Sequence, residues 1–319
     1  MMNEELNTGE TPFSLLKKIP IQNNNRIWMK EEYFSSPCNT HYDRVYSYLF
    51  PHYEKIGKII RGKTHLLETT SGNAGTSFAW YAKSYGYKST VFLPKETTES
   101  RIRKIKSYGA EVIISEKNEY IKSVVEDLQE YLSSLKKQGK SCFCFNHSQI
   151  KESVIAMESC GFEILKQAEE NNITLDYFIS ALGNGTSLKA IGSVLKNKFP
   201  SIKIVGFEPR NAPVVLKTLF PEKFLNKFGK KFRFKRSSLV GTGVWGVKFP
   251  HLSIDLIDDI LHLKENEWMD DLKNLWDIEK KPVGYTSGAA LWTAKQIAKT
   301  VSNKNILILL YDKKEFYNF

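Results

Sequence analysis

Two glycine-rich segments contain the residue types that hold anionic small molecules. The first is "TTSGNAGTS", in which Thr70 and Ser71 offer hydroxyl donors. Asn73 adds an amide that suits a polar ring substituent, and Gly72 lets the backbone approach a ligand closely. These residue types predict a site for a carboxylate or a phosphate.

The second segment is "LGNGTSLKAIG", which contains a similar nest of donors. Its five candidate residues are Gly183, Asn184, Gly185, Thr186 and Ser187. Neither segment has the G-x-G-x-x-G pattern of dinucleotide sites or the G-K-[ST] pattern of P-loops. Either segment alone is also typical of an ordinary turn. Two of them in one chain favour a cleft for a small ligand with two anionic groups.

Short apolar strands alternate with amphipathic helices from residue 64 onwards. "THLLETTS", "KSTVFLP" and "AEVIIS" read as strands, and each precedes a helix that ends at a glycine. "LDYFISAL", "KIVGFEP" and "NILILLYD" continue the pattern. This alternation predicts an α/β protein with two lobes, each a mostly parallel twisted sheet flanked by helices, and a ligand cleft between them. We expect a smaller lobe at 40–155 and a larger lobe formed by 1–39 plus 156–319.

Both glycine-rich segments follow a predicted strand and precede a predicted helix. Backbone N–H groups at such helix starts point into the crevice of a parallel sheet and can bind anions. The architecture therefore places both nests at the cleft.

Composition narrows the class of protein. Of the 319 residues, 41% are hydrophobic and 25% are charged, as in ordinary globular proteins. The N-terminus lacks a basic segment followed by an apolar run, and the longest apolar run, "ILILLY", is too short to span a bilayer. We expect a cytoplasmic location and no membrane partner. Four cysteines fit reduced thiols, and "CFCF" lacks the spacing of a zinc site, so no metal is predicted.

The net charge of +11 has one concentrated source, "KFGKKFRFKRSS" at 227–238. Phenylalanines that alternate with lysines and arginines suit a polyanion-binding surface such as one for nucleic acid. The other reading is a solvated loop, or an edge strand whose lysines discourage aggregation. We favour this second reading, and expect no nucleic-acid partner, because no nucleic-acid-binding motif occurs elsewhere.

Several segments, taken together, resemble a known family. They are "RIWMKEEYF", "ETTSGNAGTSFAWYAKSYGYKSTVFLP", "RIRKIKSYGAEVI", "FISALGNGTSLKAIGSVLK", "IKIVGFEP", "GTGVW" and "GYTSGAAL". In this order and spacing they are similar to the cysteine synthase family of the tryptophan synthase β-like (fold-type II) enzymes, which use pyridoxal phosphate (PLP). The resemblance runs from about residue 12 to the C-terminus.

The resemblance implies a role for each nest. Asn73 would contact the ring hydroxyl of PLP, the segment Gly183 to Ser187 would hold its phosphate, and Gly241 would lie beside the ring. A substrate carboxylate would be held by Thr70, Ser71, Gly72 and Ala74. The resemblance also implies a homodimer.

The family pattern breaks at its reactive residue. There a lysine precedes an Asp-Arg pair, whereas this chain reads Thr40-His41-Tyr42-Asp43-Arg44. Tyr42 thus stands at the position of the lysine that forms a Schiff base with PLP. A phenol cannot form an imine, although it could exchange protons if its surroundings lowered its pKa from about 10.

Two further positions depart from the family. In "LLYDKKEFY", Lys313 takes the place of the serine that bonds the pyridine nitrogen, and it is a tentative catalytic residue as a replacement amine. The alternative interpretation is that Lys313 is an ordinary surface lysine. In "CFNHSQIKES", His147 matches a substrate-binding glutamine only if a one-residue gap is allowed, and it could equally be structural.

The sequence leaves three interpretations of function open. The first is a cysteine-synthase-like protein that binds PLP, or a PLP–amino-acid adduct, with atypical or lost β-replacement or β-elimination chemistry. If active, it would be a lyase or transferase that acts on an amino acid by a nonstandard mechanism. The second is a non-catalytic, small-molecule-binding or regulatory protein on the same scaffold. A polyanion-binding protein is the third and least favoured reading.

Overall fold

A computed structural model describes residues 9–70, 72–117 and 121–317. It contains ten strands and ten α-helices within those ranges. The strands are β1 (Phe13–Leu15), β2 (Arg26–Lys30), β3 (His65–Thr69), β4 (Ser89–Pro94), β5 (Glu111–Ser115), β6 (Cys142–Cys144), β7 (Tyr177–Ala181), β8 (Lys203–Pro209), β9 (Asp259–Leu263) and β10 (Asn305–Leu309).

The helices fall between these strands. They are α1 (Tyr42–Lys55), α2 (Asn73–Ser84), α3 (Glu99–Ser107), α4 (Ile121–Lys137), α5 (Lys151–Glu170), α6 (Thr186–Lys198), α7 (Val214–Leu219), α8 (Pro221–Phe228), α9 (Met269–Asp277) and α10 (Tyr285–Ala298). Two short 3-10 turns cover Glu32–Phe34 and Lys314–Phe316.

The strands form two sheets. The smaller sheet has the order β5-β4-β3-β6 and is parallel throughout. The larger sheet has the order β1-β2-β10-β7-β8-β9, in which only β1 pairs antiparallel. The predicted α/β class with two mostly parallel sheets is confirmed, while the boundaries of the lobes stay a prediction.

Each predicted nest lies after the carboxyl end of a parallel strand. The first connects β3 to α2, although Ser71 lies outside the described residues, and the second connects β7 to α6. β3 and β7 are interior strands of their sheets, so both nests open into the region where the sheets face each other.

Aromatic side chains hold α1 against α2 and against the residue that follows β6. The ring of Phe50 lies 4.8 Å from that of Phe145, and the ring of Tyr46 lies 5.7 Å from that of Phe78. All four side chains are fully buried. Because this packing fixes the axis of α1, it also fixes where its first residue points.

A buried charge network anchors the start of α1. Arg44 donates to both carboxylate oxygens of Glu32, at 2.7 and 2.8 Å, and its remaining nitrogen lies 2.8 Å from Glu163. Lys30 is fully buried and pairs with Glu163 as well. Burial raises the pKa of Glu32, but the neighbouring charges of Arg44 and Lys30 outweigh it and lower that pKa to about 2.

Asp43 fixes the same turn from the other side. Its carboxylate accepts from the backbone N–H of Cys38 at 2.9 Å and from the hydroxyl of Ser77 at 2.7 Å. Burial raises the pKa of Asp43 to about 7. Asp43 and Arg44 therefore point into the protein, which leaves Tyr42 to face outward from the helix start.

Removal of Arg44 should destabilise the fold strongly. Arg44→Met removes the ion-pair partner of the buried Glu32 and one of the two partners of Glu163, and should lower the free energy of unfolding by about 3–5 kcal/mol. Arg61→Met is the matched control, because Arg61 pairs with Glu54 at 2.8 Å while 61% exposed, and should cost less than about 1 kcal/mol. Urea unfolding of both variants measures the difference. Equal losses would show that the network does not anchor α1.

Candidate ligand-binding cleft

The cleft between the two sheets contains two adjoining cavities. The inner cavity spans about 630 Å³ and the outer cavity about 490 Å³, both counted with the solvent space at their mouths. Three residues line both: Tyr42, Asn184 and Gly241. The inner cavity is also lined by His41, Asn73, Arg101, Gly183, Gly185, Ser187, Tyr311 and Asp312. The outer cavity is also lined by Thr69, Thr70, His147 and Ser148.

Tyr42 stands where the two cavities meet. It is the first residue of α1, and its ring lies 4.1 Å from that of His41 and 5.3 Å from that of His147. Of the described residues that line the two cavities, none is a lysine. The cleft therefore presents a phenol and two imidazoles at this point, and no amine.

The surroundings of Tyr42 do not prepare it to act as a base. Burial raises its pKa above the usual value, and the nearby carboxylates of Asp312 and Glu68 raise it further. The sequence left open a lowered pKa, and the structure gives the opposite direction. Tyr42 is thus a neutral hydroxyl at physiological pH.

The second nest is shaped to accept an anion. Gly185 caps α6 with a φ of +84°, a conformation that favours glycine. A methyl group added at Gly183 would lie 2.4 Å from the backbone oxygen of Gly241, so the two loops touch here. The hydroxyl of Thr186 is buried at the helix start and has no partner among the described residues. The nest thus combines a helix N-terminus with an unused buried donor.

Asn73 lines the inner cavity, but both ends of its amide are occupied. Its nitrogen donates to Asp312, and its oxygen accepts from Nε of Arg101 at 3.0 Å. Asp312 follows β10 of the larger sheet, whereas Asn73 and Arg101 lie on helices of the smaller one. This contact ties the two lobes together across the cleft.

Tyr317, which follows the turn Lys314–Phe316, adds to the contact between Asn73, Arg101 and Asp312. The hydroxyl of Tyr317 donates to Asp312 at 2.8 Å, and the guanidinium of Arg101 lies 4.8 Å from the ring of Tyr317. Burial raises the pKa of Asp312 to about 6, although Arg101 and the hydrogen bonds oppose this. The cleft therefore holds a carboxyl group that titrates near neutral pH.

Lys313 lies outside both cavities. Its backbone pairs with that of Val283, and the residue is not among those that line either cavity. Because β10 ends at Leu309 and the chain then passes the cleft at Tyr311 and Asp312, Asp312 rather than Lys313 reaches the inner cavity. The reading of Lys313 as a replacement amine has no support in this geometry.

His147 lies in the outer cavity with a buried carboxylate behind it. Its Nδ1 is 3.3 Å from Oε1 of Glu68, within ion-pair distance but not aligned as a hydrogen bond. Glu68 also accepts from the hydroxyl of Tyr46 at 2.8 Å and from the backbone N–H of Thr69 at 2.8 Å. These contacts fix the ring of His147 beside Tyr42.

Only some of the residues predicted to bind substrate line a cavity in the structure. Thr70 and His147 line the outer cavity together, and the Thr70 hydroxyl accepts from the N–H of Gly72 at 3.0 Å. Gly72 and Ala74 line neither cavity, and Ala74 is buried in the core. Ser71 lies outside the described residues. The residues predicted to bind the cofactor all line the inner cavity except Thr186, which is buried behind it.

Sequence reasoning missed Arg101, Asp312 and Glu68. A signal existed for Arg101, since it lies four residues before the buried Ile105 and so occupies the apolar face of α3. Asp312 follows an apolar strand in the same way as the nests do. Glu68 gave a weaker signal, a carboxylate inside the apolar strand β3.

Comparisons with known proteins agree with this geometry. Residues 4–312 match the family described as "Pyridoxal-phosphate dependent enzyme". The chain is 28% identical over 313 residues to the cysteine synthase of Staphylococcus aureus, which covers 97% of this chain and 93% of the relative. It is 27% identical over 302 residues to a probable cysteine synthase of Bacillus subtilis, at 95% and 91% coverage.

A solved structure has the same overall fold. It is a hydrogen sulfide-producing enzyme from Fusobacterium nucleatum, with a TM-score of 0.85, 26% identity and full coverage of both chains. An O-ureido-L-serine synthase has a TM-score of 0.82 at 22% identity, over 99% of this chain and 93% of the other, and supports the fold alone. This chain therefore belongs to the pyridoxal-phosphate dependent enzyme family, as a cysteine synthase-like member of fold-type II.

Proposed function

We propose that this protein binds PLP, or a PLP–amino-acid adduct, in the inner cavity without covalent attachment to a lysine. Its chemistry on amino acids is then atypical or lost. The observation that carries the proposal is Tyr42 at the junction of two cavities whose described lining contains no lysine.

The residues of the inner cavity fit PLP at its anionic end. The N-terminus of α6 would hold the phosphate, together with Ser187, which lines the cavity. Gly241, with a φ of +93°, would lie beside the ring. Asn73 would reach the ring hydroxyl with the N–H or the oxygen lone pair that its bonds to Asp312 and Arg101 leave free.

When bound, PLP supplies an aldehyde and an electron sink for carbanion chemistry. In this chain Tyr42 offers only a neutral hydroxyl, which can donate a hydrogen bond but cannot take the place of an amine. His147, held by Glu68, is the described side chain beside Tyr42 that could carry a proton in the outer cavity. Loss of a well-placed proton carrier slows catalysis by about 10²–10⁴-fold.

Two outcomes are compatible with this site. A nonstandard lyase or transferase would use His147 on an amino acid held near Thr70, whereas a regulatory protein would hold its ligand without turnover. The raised pKa of Tyr42 favours the second, since the residue at the reactive position is not prepared for proton abstraction. Turnover of serine or O-acetylserine by the native protein would show that it is a lyase or transferase.

The protein also fits a reducing compartment, and we propose a cytoplasmic location. Cys38, Cys142, Cys144 and Cys160 are all free thiols. In the part of the chain that is described, no helix combines the length and the apolar character needed to cross a bilayer.

We also propose a homodimer that uses the outer surface of α1 and α5. Phe162 and Ile155 on α5 are 60% and 44% exposed, and they lie beside a surface groove that also includes Tyr48 of α1. Exposed apolar residues that cluster at one groove are typical of an interface, and a two-fold axis would bury this patch against its own copy.

Restoring the amine at position 42 should restore covalent attachment. We expect native protein to bind PLP reversibly, without a yellow absorbance band and without borohydride-reducible attachment. Tyr42→Lys should turn yellow and become labelled stoichiometrically, because its amine would face the cavity from the helix start. Absorbance titration and mass spectrometry after borohydride treatment measure both properties.

Tyr42→Phe is the matched control, and should behave like native protein. A reducible adduct on native protein would contradict the proposal, and Lys313→Ala would then test whether Lys313 forms it. No PLP binding by either protein would reject the cofactor site itself.

Closing the second nest should abolish binding. Gly183→Ala places a methyl group 2.4 Å from the Gly241 oxygen, so both loops must move, and PLP affinity should fall more than about tenfold. Gly192→Ala, within the α6 helix that follows this loop, is the control, since its methyl group would lie 3.4 Å from its nearest neighbour. Equilibrium dialysis gives the affinities, and circular dichroism checks folding. If Gly183→Ala binds PLP with the affinity of native protein, this loop does not hold the phosphate.

A charge on the α5 surface should split the dimer. Phe162→Glu should shift the protein from dimer to monomer, because a carboxylate would be buried against its copy at the interface. Leu225→Glu on α8, at a leucine that is 43% exposed, is the control and should leave the dimer intact. Light scattering with size-exclusion chromatography reads the mass. The proposed interface would be wrong if the native protein is a monomer, or if only the control variant loses the dimer.

A further inference from the structure

One segment carries most of the excess positive charge of the chain. Residues 210–238 contain nine lysines and arginines and one glutamate, a net +8 of the total +11. Six of these cations define what we call the basic surface. They are Lys223, Lys227, Lys230, Lys231, Arg233 and Lys235, and all six are exposed.

A phenylalanine cluster holds the basic surface in place. The ring of Phe228 lies 5.5 Å from that of Phe224 and 4.9 Å from that of Phe232, and Phe232 lies 6.0 Å from Phe234. Phe224 is buried, and Phe228 also contacts His262 of β9 at 5.5 Å. The aromatic side chains therefore face the protein, and the cations face solvent.

The sequence offered a protective edge strand as one explanation of these lysines. The structure excludes an edge strand, because 227–238 belongs to neither sheet, and shows an exposed loop after α8, which was the other interpretation that the sequence offered. The phenylalanine cluster lies against β9, the last strand of the larger sheet, and so helps to cover that edge. Covering the edge accounts for the phenylalanines, but it requires no concentration of cations.

The cations of the basic surface are not neutralised locally. Among the described residues, no carboxylate lies within 4.0 Å of Lys223, Lys230, Lys231, Arg233 or Lys235. Burial lowers the pKa of Lys227, and the positive charge of Arg210 lowers it further. Asp259 and Glu208 act on Lys227 in the opposite direction, and the other five cations make no direct ion pair in the described part of the chain. A group of cations with so few carboxylates produces a local positive potential that an anionic partner would relieve.

Three of the cations share a regular spacing. Lys231, Arg233 and Lys235 are exposed, while Phe232 and Phe234 between them are half-buried. This alternation is that of an extended chain, in which every second side chain points the same way and recurs after about 6.6–6.8 Å. Carboxylates at alternate positions of an extended acidic peptide have the same repeat.

We propose that the basic surface binds an acidic, extended segment of another protein. A single-stranded nucleic acid fits less well, since such binding uses free aromatic faces on which bases stack. Here the phenylalanines are engaged with one another and with β9. Acidic side chains need only the charge and the spacing, and both are present.

The test uses the native protein without added PLP, so its outcome is independent of the cleft. A labelled oligo-glutamate peptide and a labelled DNA strand of equal charge are titrated by fluorescence anisotropy at several salt concentrations. The peptide should bind more tightly than the DNA. Joint replacement Lys231→Glu, Arg233→Glu and Lys235→Glu should weaken peptide binding more than about tenfold and reduce its salt dependence.

The control changes the net charge equally at another place. Lys136→Glu, Lys137→Glu and Lys140→Glu alter exposed residues at the end of α4, and should leave the affinity within about threefold of native. An equal loss in this control would mean that only net charge matters, and would overturn the proposal. Tighter binding of the DNA strand, or no peptide binding at physiological salt, would overturn it as well.

Discussion

Residue 42 faces the cleft because the two residues after it are buried and are held by polar partners. Asp43 is held by Cys38 and Ser77, and Arg44 is held by Glu32 and Glu163. An unpaired charge in the interior is expensive, so this turn cannot rotate without a large loss of stability. The first side chain of α1 is therefore presented to the ligand whatever its chemistry.

Because of this constraint, the position of residue 42 does not depend on the chemistry of its side chain. The two sheets, the nest at α6 and the anchored start of α1 are all present in a chain that belongs to the pyridoxal-phosphate dependent enzyme family. The side chain at the junction of the cavities can differ while the contacts of Asp43 and Arg44 stay the same. The fold therefore does not by itself determine the chemistry of residue 42.

The sequence was most informative where backbone geometry decides the outcome. Glycine-rich turns after apolar strands predicted both nests, because a parallel sheet places the ends of its strands at one crevice. It was less informative for Asp312, Arg101 and Glu68, whose importance comes from partners distant in the chain. A pair such as Asn73 and Asp312, 239 positions apart, leaves no local pattern. The direction of the Tyr42 pKa depended likewise on burial and on carboxylates that only the fold brings close.

The bonds of Asn73 to Asp312 and Arg101 determine how its amide can meet a ligand in the inner cavity. They use one N–H and one oxygen lone pair, so a second N–H and a second lone pair remain. A ligand that bonds to either of them contacts a side chain that already joins the two sheets. Binding at this point would therefore add to the contacts between the sheets without breaking those already present.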